Sequence, residues 1–187
     1  MINMNLDKMI KEFEKKEKQQ TEVLEQKRAL VRDCSKAIKE IHRRKINSAE
    51  TLIKNVEKGL KKLNKCKEEF AVHTDHIEQE YVEAVVLLEI VKNKKCSSPE
   101  KLKVSNVAYL NGLMDIVGEL RREMLDLLRK DKYKDAERMF DSMEKIYESV
   151  ELIQFSNSII PNFRRKQDVA RRQIEQARSE ILYSKRK

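Results

Sequence analysis

Glycine and proline are scarce in this sequence: its 187 residues include three glycines and two prolines. Aromatic residues make up 5% of the chain and tryptophan is absent, whereas charged residues make up 39%. A sheet of many strands needs more turn residues than this, and the composition is typical of proteins built from long helices. We therefore expect an all-α fold, a bundle of about six or seven long antiparallel helices that form one domain over residues 1–187.

Long apolar runs and paired cysteines are also missing. The longest unbroken apolar run, residues 84–88, is far shorter than the roughly 20 residues that a membrane span needs, and the first residues are too polar for the core of a signal peptide. The three cysteines are widely spaced and form no Cys-x-x-Cys pair, which predicts neither a disulfide framework nor a thiolate zinc site. Because reduced thiols are typical of the cytoplasm, we expect a cytoplasmic protein.

Several sequence motifs of catalysis are absent as well. The chain has no Gly-x-Ser-x-Gly nucleophile motif and no glycine-rich phosphate loop. Di-iron helical bundles place a histidine three residues after a glutamate on two helices, and none of the histidines here, His42, His73 and His76, stands in that position. Nucleophilic catalysis and di-iron chemistry are therefore not indicated.

Basic residues exceed acidic ones, which gives the chain a formal net charge of +9 and a pI near 9.4. A surplus of this size favours polyanionic partners such as nucleic acid or an anionic membrane surface. A lysine-rich surface that only contacts solvent would give the same charge, so composition leaves both alternatives open.

Apolar residues recur at helical spacing from residue 6 to about residue 44, which predicts one long helix whose N-terminal end needs a partner to bury its apolar face. The chain is expected to restart as a helix near Asn47 and Ser48 and to break again at residues 73–76. Later helices are predicted from Thr74 or Asp75 to about Lys92, over 106–129 with Ser105 as N-cap, over 136–150 and over 163–183.

Residues 79–84, QEYVEA, place two carboxylates on the helix predicted to be most buried. Glu80 and Glu83 are three residues apart and share a helix face, about 5–6 Å apart between Cβ atoms. Two like charges there are unfavourable unless a bound cation, a basic partner or a raised pKa neutralises them. We interpret the pair first as metal ligands.

Residues 109–120, YLNGLMDIVGEL, offer a second pair four residues apart, Asp115 and Glu119. Gly112 and Gly118 flank Asp115, which indicates either a bare patch for a metal or substrate, or close packing of two helices. Four carboxylates from two helices would make a hard oxygen site that suits Mg²⁺ or Mn²⁺. Carboxylates paired with Lys or Arg in a helical scaffold for a protein partner are the alternative.

In these two stretches the sequence resembles the translin family, and specifically its catalytic branch, the translin-associated factor X (Trax) subunits. Residues 79–84 match the Trax segment Gln-Glu-Tyr-Val-Glu-Ala, and residues 109–120 match its pattern Tyr-Leu-x-Gly-x-x-Asp-x-x-Gly-Glu-Leu. The chain lacks the long insertion that eukaryotic Trax has between the two motif helices, so it resembles a prokaryotic, archaeal form.

The resemblance implies a metal-dependent endoribonuclease that acts mainly on single-stranded RNA. Its acidic residues map onto Glu80, Glu83, Asp115 and Glu119, which would hold Mg²⁺ or Mn²⁺ and carry catalysis. Family members form hollow octamers with nucleic acid inside, which implies a homo-octamer or a similar closed oligomer here. Plain translin subunits lack the acidic set, so a noncatalytic scaffold that binds single-stranded RNA or DNA is the alternative.

Basic segments supply candidates for RNA contacts. A basic segment of translin aligns with residues 61–70, and its role in binding nucleic acid would carry over to Lys61, Lys62, Lys65 and Lys67. Lysines at these spacings are also typical of a solvated helix face. The clusters that contain Arg43 and Arg44, and residues 164–166, could contact phosphates without sequence preference. Because aromatic residues for base stacking are few, we expect no sequence-specific readout.

Overall fold

The computed structural model of the chain describes residues 6–65 and 74–184, and within these ranges the backbone forms seven helices and no strand. The helices are α1 (Leu6–His42), α2 (Ile46–Lys65), α3 (Asp75–Val91), α4 (Pro99–Leu102), α5 (Asn106–Leu128), α6 (Tyr133–Val150) and α7 (Phe163–Ser184). Because α4 is a single turn, six long helices make up the described part of the bundle, and the all-α prediction is confirmed. None of the described helices is long and apolar enough to cross a membrane.

Helices α3 and α5 form the centre of the bundle. Helix α3 packs against α1 and α2 on one side and against α5 on the other, while α6 and α7 cover the remaining faces of α5. Eleven of the 17 residues of α3 are buried, which is why its apolar residues occupy most of its circumference and show no clear amphipathic stripe. The carboxylates on α3 are therefore surrounded by neighbouring helices.

Gly112 allows α5 to approach α3 closely. A Cβ atom at this position would lie 2.9 Å from the backbone carbonyl oxygen of Gln79 and 2.8 Å from Cγ1 of Val82. Close helix packing, one of the two alternatives for this glycine, is therefore what the structure shows. Gly118 faces α7, where a Cβ would lie 3.2 Å from the side-chain nitrogen of Gln173.

Helix ends that often use glycine are formed here by other residues. Arg44, Asn93, Lys103 and Asp131 follow α1, α3, α4 and α5 with φ angles of 62°, 54°, 57° and 58°. This left-handed conformation satisfies the last helical carbonyls, and it lets a chain with few glycines end its helices. At the start of α5, the Ser105 hydroxyl accepts a hydrogen bond from the amide of Ala108 at 3.1 Å, which confirms Ser105 as N-cap.

One of two predicted helix boundaries needs correction. Helix α1 ends at His42 and α2 begins at Ile46, so the turn lies at residues 43–45, before the predicted restart at Asn47 and Ser48. The amide of Ala49 bonds to the carbonyl of Lys45 at 3.1 Å, which starts the helix ahead of the two polar residues. The start predicted at Thr74 or Asp75 is confirmed, because α3 begins at Asp75 and Thr74 is its N-cap residue; residue 73 lies outside the described residues.

Candidate metal centre

Glu80 and Glu83 lie on α3, each directly after a residue, Gln79 or Val82, that is close to Gly112 of α5. Glu83 is 9% exposed, and the side chain of Glu80 is 21% exposed. Both carboxylates of the predicted pair are therefore largely buried. The side-chain Nδ1 of His76, one turn earlier on α3, is 4.0 Å from Glu80 Oε1.

Asp115 and Glu119 complete the cluster from α5. Burial, followed by the negative charges of Glu80, Asp115 and Glu119, raises the pKa of Glu83 from 4.5 to about 8. Burial also raises the pKa of Glu80, to which the charges of Asp115 and Glu119 add. The charges of the other three carboxylates therefore act on Glu83, those of Asp115 and Glu119 across the contact between α3 and α5.

Asp115 is held by two donors from different helices. The Lys166 ammonium of α7 lies 2.5 Å from Asp115 Oδ2, and the amide nitrogen of Gln79 donates to the same oxygen at 2.6 Å. The Lys166 side chain is 16% exposed, so this ion pair is largely shielded from water. Because both donors bind Oδ2, the carboxylate is held in one orientation. Oδ1 is left available for another partner.

Glu119 is bound to His42, the last residue of α1. Nε2 of His42 lies 2.5 Å from Glu119 Oε2, and Nδ1 lies 3.0 Å from Oε2 of Glu123, one turn further along α5. Burial alone would lower the pKa of His42, but the hydrogen bonds and charges of the two glutamates outweigh it and raise this pKa to about 9. The hydrogen bond from His42 in turn lowers the pKa of Glu119.

Solved structures similar to this chain come from C3PO proteins, which are translin- and Trax-like. The crystal structure of AfC3PO is 34% identical in sequence, with a TM-score of 0.84 and 97% of both chains covered. The structure of AfC3PO in complex with duplex RNA is 33% identical, with a TM-score of 0.86 and the same coverage. The chain belongs to the translin family.

Two further proteins are similar to this chain. An uncharacterized protein of Methanocaldococcus jannaschii is 31% identical over 181 residues, which are 95% of this translin-family chain and 81% of that protein. Apo-NeC3PO, 24% identical, has the same fold with a TM-score of 0.86, and the match covers 98% of this chain and 99% of that one. No family model matches the sequence.

Three residues at the site of this translin-family chain were not predicted: His42, Glu123 and Lys166. Glu123 could have been found, because it continues the spacing of Asp115 and Glu119 by four more residues and so lies on the same face of α5. His42 and Lys166 stand in basic clusters of the sequence. His42 and its partner Glu119 are 77 residues apart in sequence, and Lys166 and its partner Asp115 are 51 apart. No local sequence pattern therefore indicates these contacts.

The donor chemistry of the cluster fits a hard divalent cation. All four predicted ligands are carboxylates, and burial beside other negative charges makes Glu83 retain a proton or require a cation. Within residues 6–65 and 74–184, however, no group of three or more His, Cys, Asp or Glu residues is arranged as a metal shell. Since Lys166 and His42 occupy oxygens of Asp115 and Glu119, side-chain rotations would be needed for all four to reach one ion.

The predicted basic residues lie in two places. Lys61 and Lys62 are exposed on α2, and Lys61 pairs with Glu57 of the same helix at 2.5 Å. Lys65 is the last residue of α2, and Lys67 lies outside the described residues. In the turn after α1, Arg43 is exposed and pairs with Glu40 at 3.2 Å, whereas Arg44 pairs with the buried Glu123. This turn is therefore adjacent to the carboxylate cluster, because it directly follows His42.

Proposed function

We propose that this translin-family chain is a metal-dependent endoribonuclease that cleaves RNA within a closed homo-oligomer. The observation that carries the proposal is the buried Glu83, whose pKa is raised to about 8 by burial and by the charges of Glu80, Asp115 and Glu119. Four carboxylates on a surface helix could be coincidental, but such a group at the contact of two central helices is costly for folding unless it binds a cation. Strongly shifted pKa values of this kind are typical of functional sites.

Glu80, Glu83, Asp115 and Glu119 would hold one or more Mg²⁺ or Mn²⁺ ions. When bound, the metal would lower the pKa of a water molecule and stabilise charge on a phosphate. The chain's own residues prepare this site: Lys166 and Gln79 fix one oxygen of Asp115, and His42 fixes one oxygen of Glu119. Lys166 is also a cation placed to contact a phosphate oxygen once a metal satisfies Asp115.

RNA as the substrate is supported by relatives and by charge. AfC3PO, 33% identical over 97% of both chains, forms a complex with duplex RNA. The net charge of +9 favours a polyanion, and one exposed arginine lies beside the carboxylates: Nη1 of Arg122 is 3.8 Å from Glu119 Oε2. The resemblance to Trax favours single-stranded RNA, so both forms are candidate substrates.

A homo-octamer or a similar closed oligomer is supported by the long α1 helix. Its first turns carry Leu6, Met9, Ile10 and Phe13, which are between 50% and 60% exposed. Spaced at three and four residues, these side chains form an apolar stripe that a second copy of the chain would cover.

A noncatalytic RNA- or DNA-binding scaffold is the second candidate, and the pairing of the carboxylates favours it. Lys166 and His42 already neutralise two of the four, and the described residues form no ready metal shell. In this case the acidic cluster would serve only to join α1, α5 and α7 by ion pairs.

Cleavage of RNA decides between the two candidates. Purified protein should cut single-stranded or duplex RNA when Mn²⁺ or Mg²⁺ is present, and EDTA should stop the reaction. Glu83→Gln, which keeps the shape of the buried side chain, should abolish cleavage while RNA binding persists. Glu144→Gln is the matched control, because it changes a carboxylate of α6 that pairs with Arg178 of α7. Salt-sensitive binding with no metal-dependent cutting by the wild-type protein would favour the noncatalytic scaffold.

A further inference from the structure

His42 lies between two carboxylates of α5 in a largely enclosed position. Its side chain is 5% exposed, and its ring nitrogens lie 2.5 Å from Glu119 and 3.0 Å from Glu123. Because an ionised carboxylate can only accept hydrogen bonds, each ring nitrogen donates to a different glutamate. The imidazole thus joins one carboxylate of the proposed metal site to one that lies outside the predicted set.

Glu123 is fixed more firmly than any of the proposed ligands. Its side chain is 2% exposed, its Oε2 accepts from His42, and its Oε1 accepts from the guanidinium of Arg44. Both of its oxygens are therefore used by cations from the end of α1 and the turn that follows. A buried carboxylate bound in this way can anchor a histidine ring in one orientation.

Glu119, by contrast, is 25% exposed and could adopt several rotamers if nothing held it. The bond from His42 Nε2 takes Oε2 and leaves Oε1 as the oxygen that can face a metal. Groups that hydrogen-bond to metal ligands fix the orientation of those ligands, and their removal typically weakens metal affinity 10- to 100-fold.

We propose that His42 is a positioning residue for the metal site, which orients Glu119 toward the ion through a chain of contacts anchored at Glu123. The inference rests on the proposed metal-dependent function and adds to it a residue from α1 with a defined role. The carboxylates of α3 and α5 bind the ion directly, and α1 contributes the group that holds one of them in place.

Two variants of His42 separate positioning from a purely structural role. The amide nitrogen of glutamine in His42→Gln stands close to the position of Nε2 and can donate to Glu119. That of asparagine in His42→Asn stands close to Nδ1 and can donate only to Glu123. Both variants are polar, neutral and similar in size, so a structural role would affect them alike.

Mn²⁺ affinity, measured by titration calorimetry without RNA, is the decisive readout. His42→Asn should bind Mn²⁺ at least about tenfold more weakly than the wild-type protein, and His42→Gln should retain tighter binding than His42→Asn. Arg121→Gln is the matched control, since it removes an α5–α7 ion pair with Glu180 and should leave Mn²⁺ affinity unchanged. Thermal unfolding of all three variants identifies any that is not folded.

Equal Mn²⁺ affinities for His42→Gln and His42→Asn, at whatever level, would overturn the inference, and so would weaker binding by His42→Gln. If His42→Asn does not fold, Glu123→Gln replaces it and is expected to weaken Mn²⁺ binding through loss of the anchor; wild-type affinity in that variant would be contradictory. These results leave the proposed function intact if the wild-type protein binds Mn²⁺. A wild-type protein that binds no Mn²⁺ would overturn the proposed function together with the inference.

Discussion

Burial and neighbouring negative charges make the ionised form of Glu83 electrostatically unfavourable. This residue is 9% exposed, and burial together with the charges of Glu80, Asp115 and Glu119 raises its pKa to about 8. The folded protein therefore holds a proton on Glu83 at pH values at which the unfolded chain has lost it. A divalent cation can take the place of that proton, so the same residue links stability to pH and to metal.

Because the pKa of Glu83 is higher in the folded than in the unfolded protein, the stability of the metal-free protein, measured in EDTA, should depend on pH. Because the pKa of Glu83 is 4.5 in its ordinary state and about 8 in the folded protein, its contribution is fully present below pH 4.5 and is lost as pH rises through 8. The melting temperature of the wild-type protein should fall between about pH 5 and pH 8, and that of Glu83→Gln should fall less. Differential scanning calorimetry at several pH values measures the difference.

Two comparisons make the stability experiment specific to Glu83. Glu144→Gln should keep the decline of the wild-type protein, because it leaves the buried carboxylate in place. Added Mn²⁺ should reduce the decline in the wild-type protein, since metal binding to the folded state replaces the lost proton. A melting temperature with the same pH dependence in the wild-type protein and in Glu83→Gln would contradict the raised pKa.

At the same scale, the sequence indicated the carboxylates of the candidate site better than the residues that bind them. Glu80 and Glu83 were recognisable because two carboxylates on an apolar helix are unusual, and Asp115 because glycines flank it. His42 and Lys166 were not recognisable, since a lysine or histidine in a basic cluster has no sequence signal for the buried partner that it meets after folding. Their roles depend on contacts between α1, α5 and α7.

At the scale of helices, the proposed site depends on the close contact between α3 and α5. A Cβ on Gly112 would lie 2.9 Å from the carbonyl oxygen of Gln79, and a backbone carbonyl cannot move aside without displacing its helix. At the same contact, the side chain of Gln79, the residue before Glu80, donates to Asp115 at 2.6 Å. Gly112 therefore affects both the packing of α3 against α5 and the relative positions of the proposed ligands.

Gly112→Ala should destabilise the fold by about 1–3 kcal/mol, because overpacking at a backbone contact exceeds the gain of roughly 1 kcal/mol in helix propensity. It should also weaken Mn²⁺ binding, since the two carboxylate pairs would be pushed apart. Urea unfolding and metal titration measure the two effects.

Gly118→Ala is the natural control on the same helix. Its Cβ would meet only the flexible side chain of Gln173, at 3.2 Å, so we expect wild-type stability or a small gain. If Gly112→Ala were as stable as Gly118→Ala and bound Mn²⁺ equally well, the close α3–α5 contact would not be what sets the site.

Helical periodicity predicted the long elements well because each buries one face or, for α3, nearly all of its surface. The boundary error falls where the chain turns without glycine or proline. The turn at residues 43–45 uses Arg44 in a left-handed conformation, which no sequence rule for glycine identifies. The single turn α4, which Ser98 caps and Pro99 begins, lies where no helix was predicted.

The whole molecule combines a basic surface with a long helix that extends beyond the packed bundle. The 37 residues of α1 span roughly 55 Å at 1.5 Å per residue, and the buried positions of this helix begin only at Leu30. Its exposed stripe of Leu6, Met9, Ile10 and Phe13 is the surface that we expect to join copies of the chain.

Phe13→Asp should lower the mass of the assembly in solution, because a carboxylate within this stripe would be desolvated on association. Lys15→Asp puts the same side chain on the opposite face of α1 and should leave the mass unchanged. Light scattering after gel filtration measures both variants. A wild-type protein that is monomeric at high concentration, or a Phe13→Asp variant with wild-type mass, would contradict the proposed interface.

The central claim, that Glu80, Glu83, Asp115 and Glu119 bind one metal centre, is tested most directly by a crystal structure of the protein soaked in Mn²⁺. We predict anomalous density between α3 and α5, with oxygens of these four residues as ligands, Glu83 among them, and with His42 still bound to Glu119. Density elsewhere on the protein, or none while Lys166 remains paired with Asp115, would contradict the account.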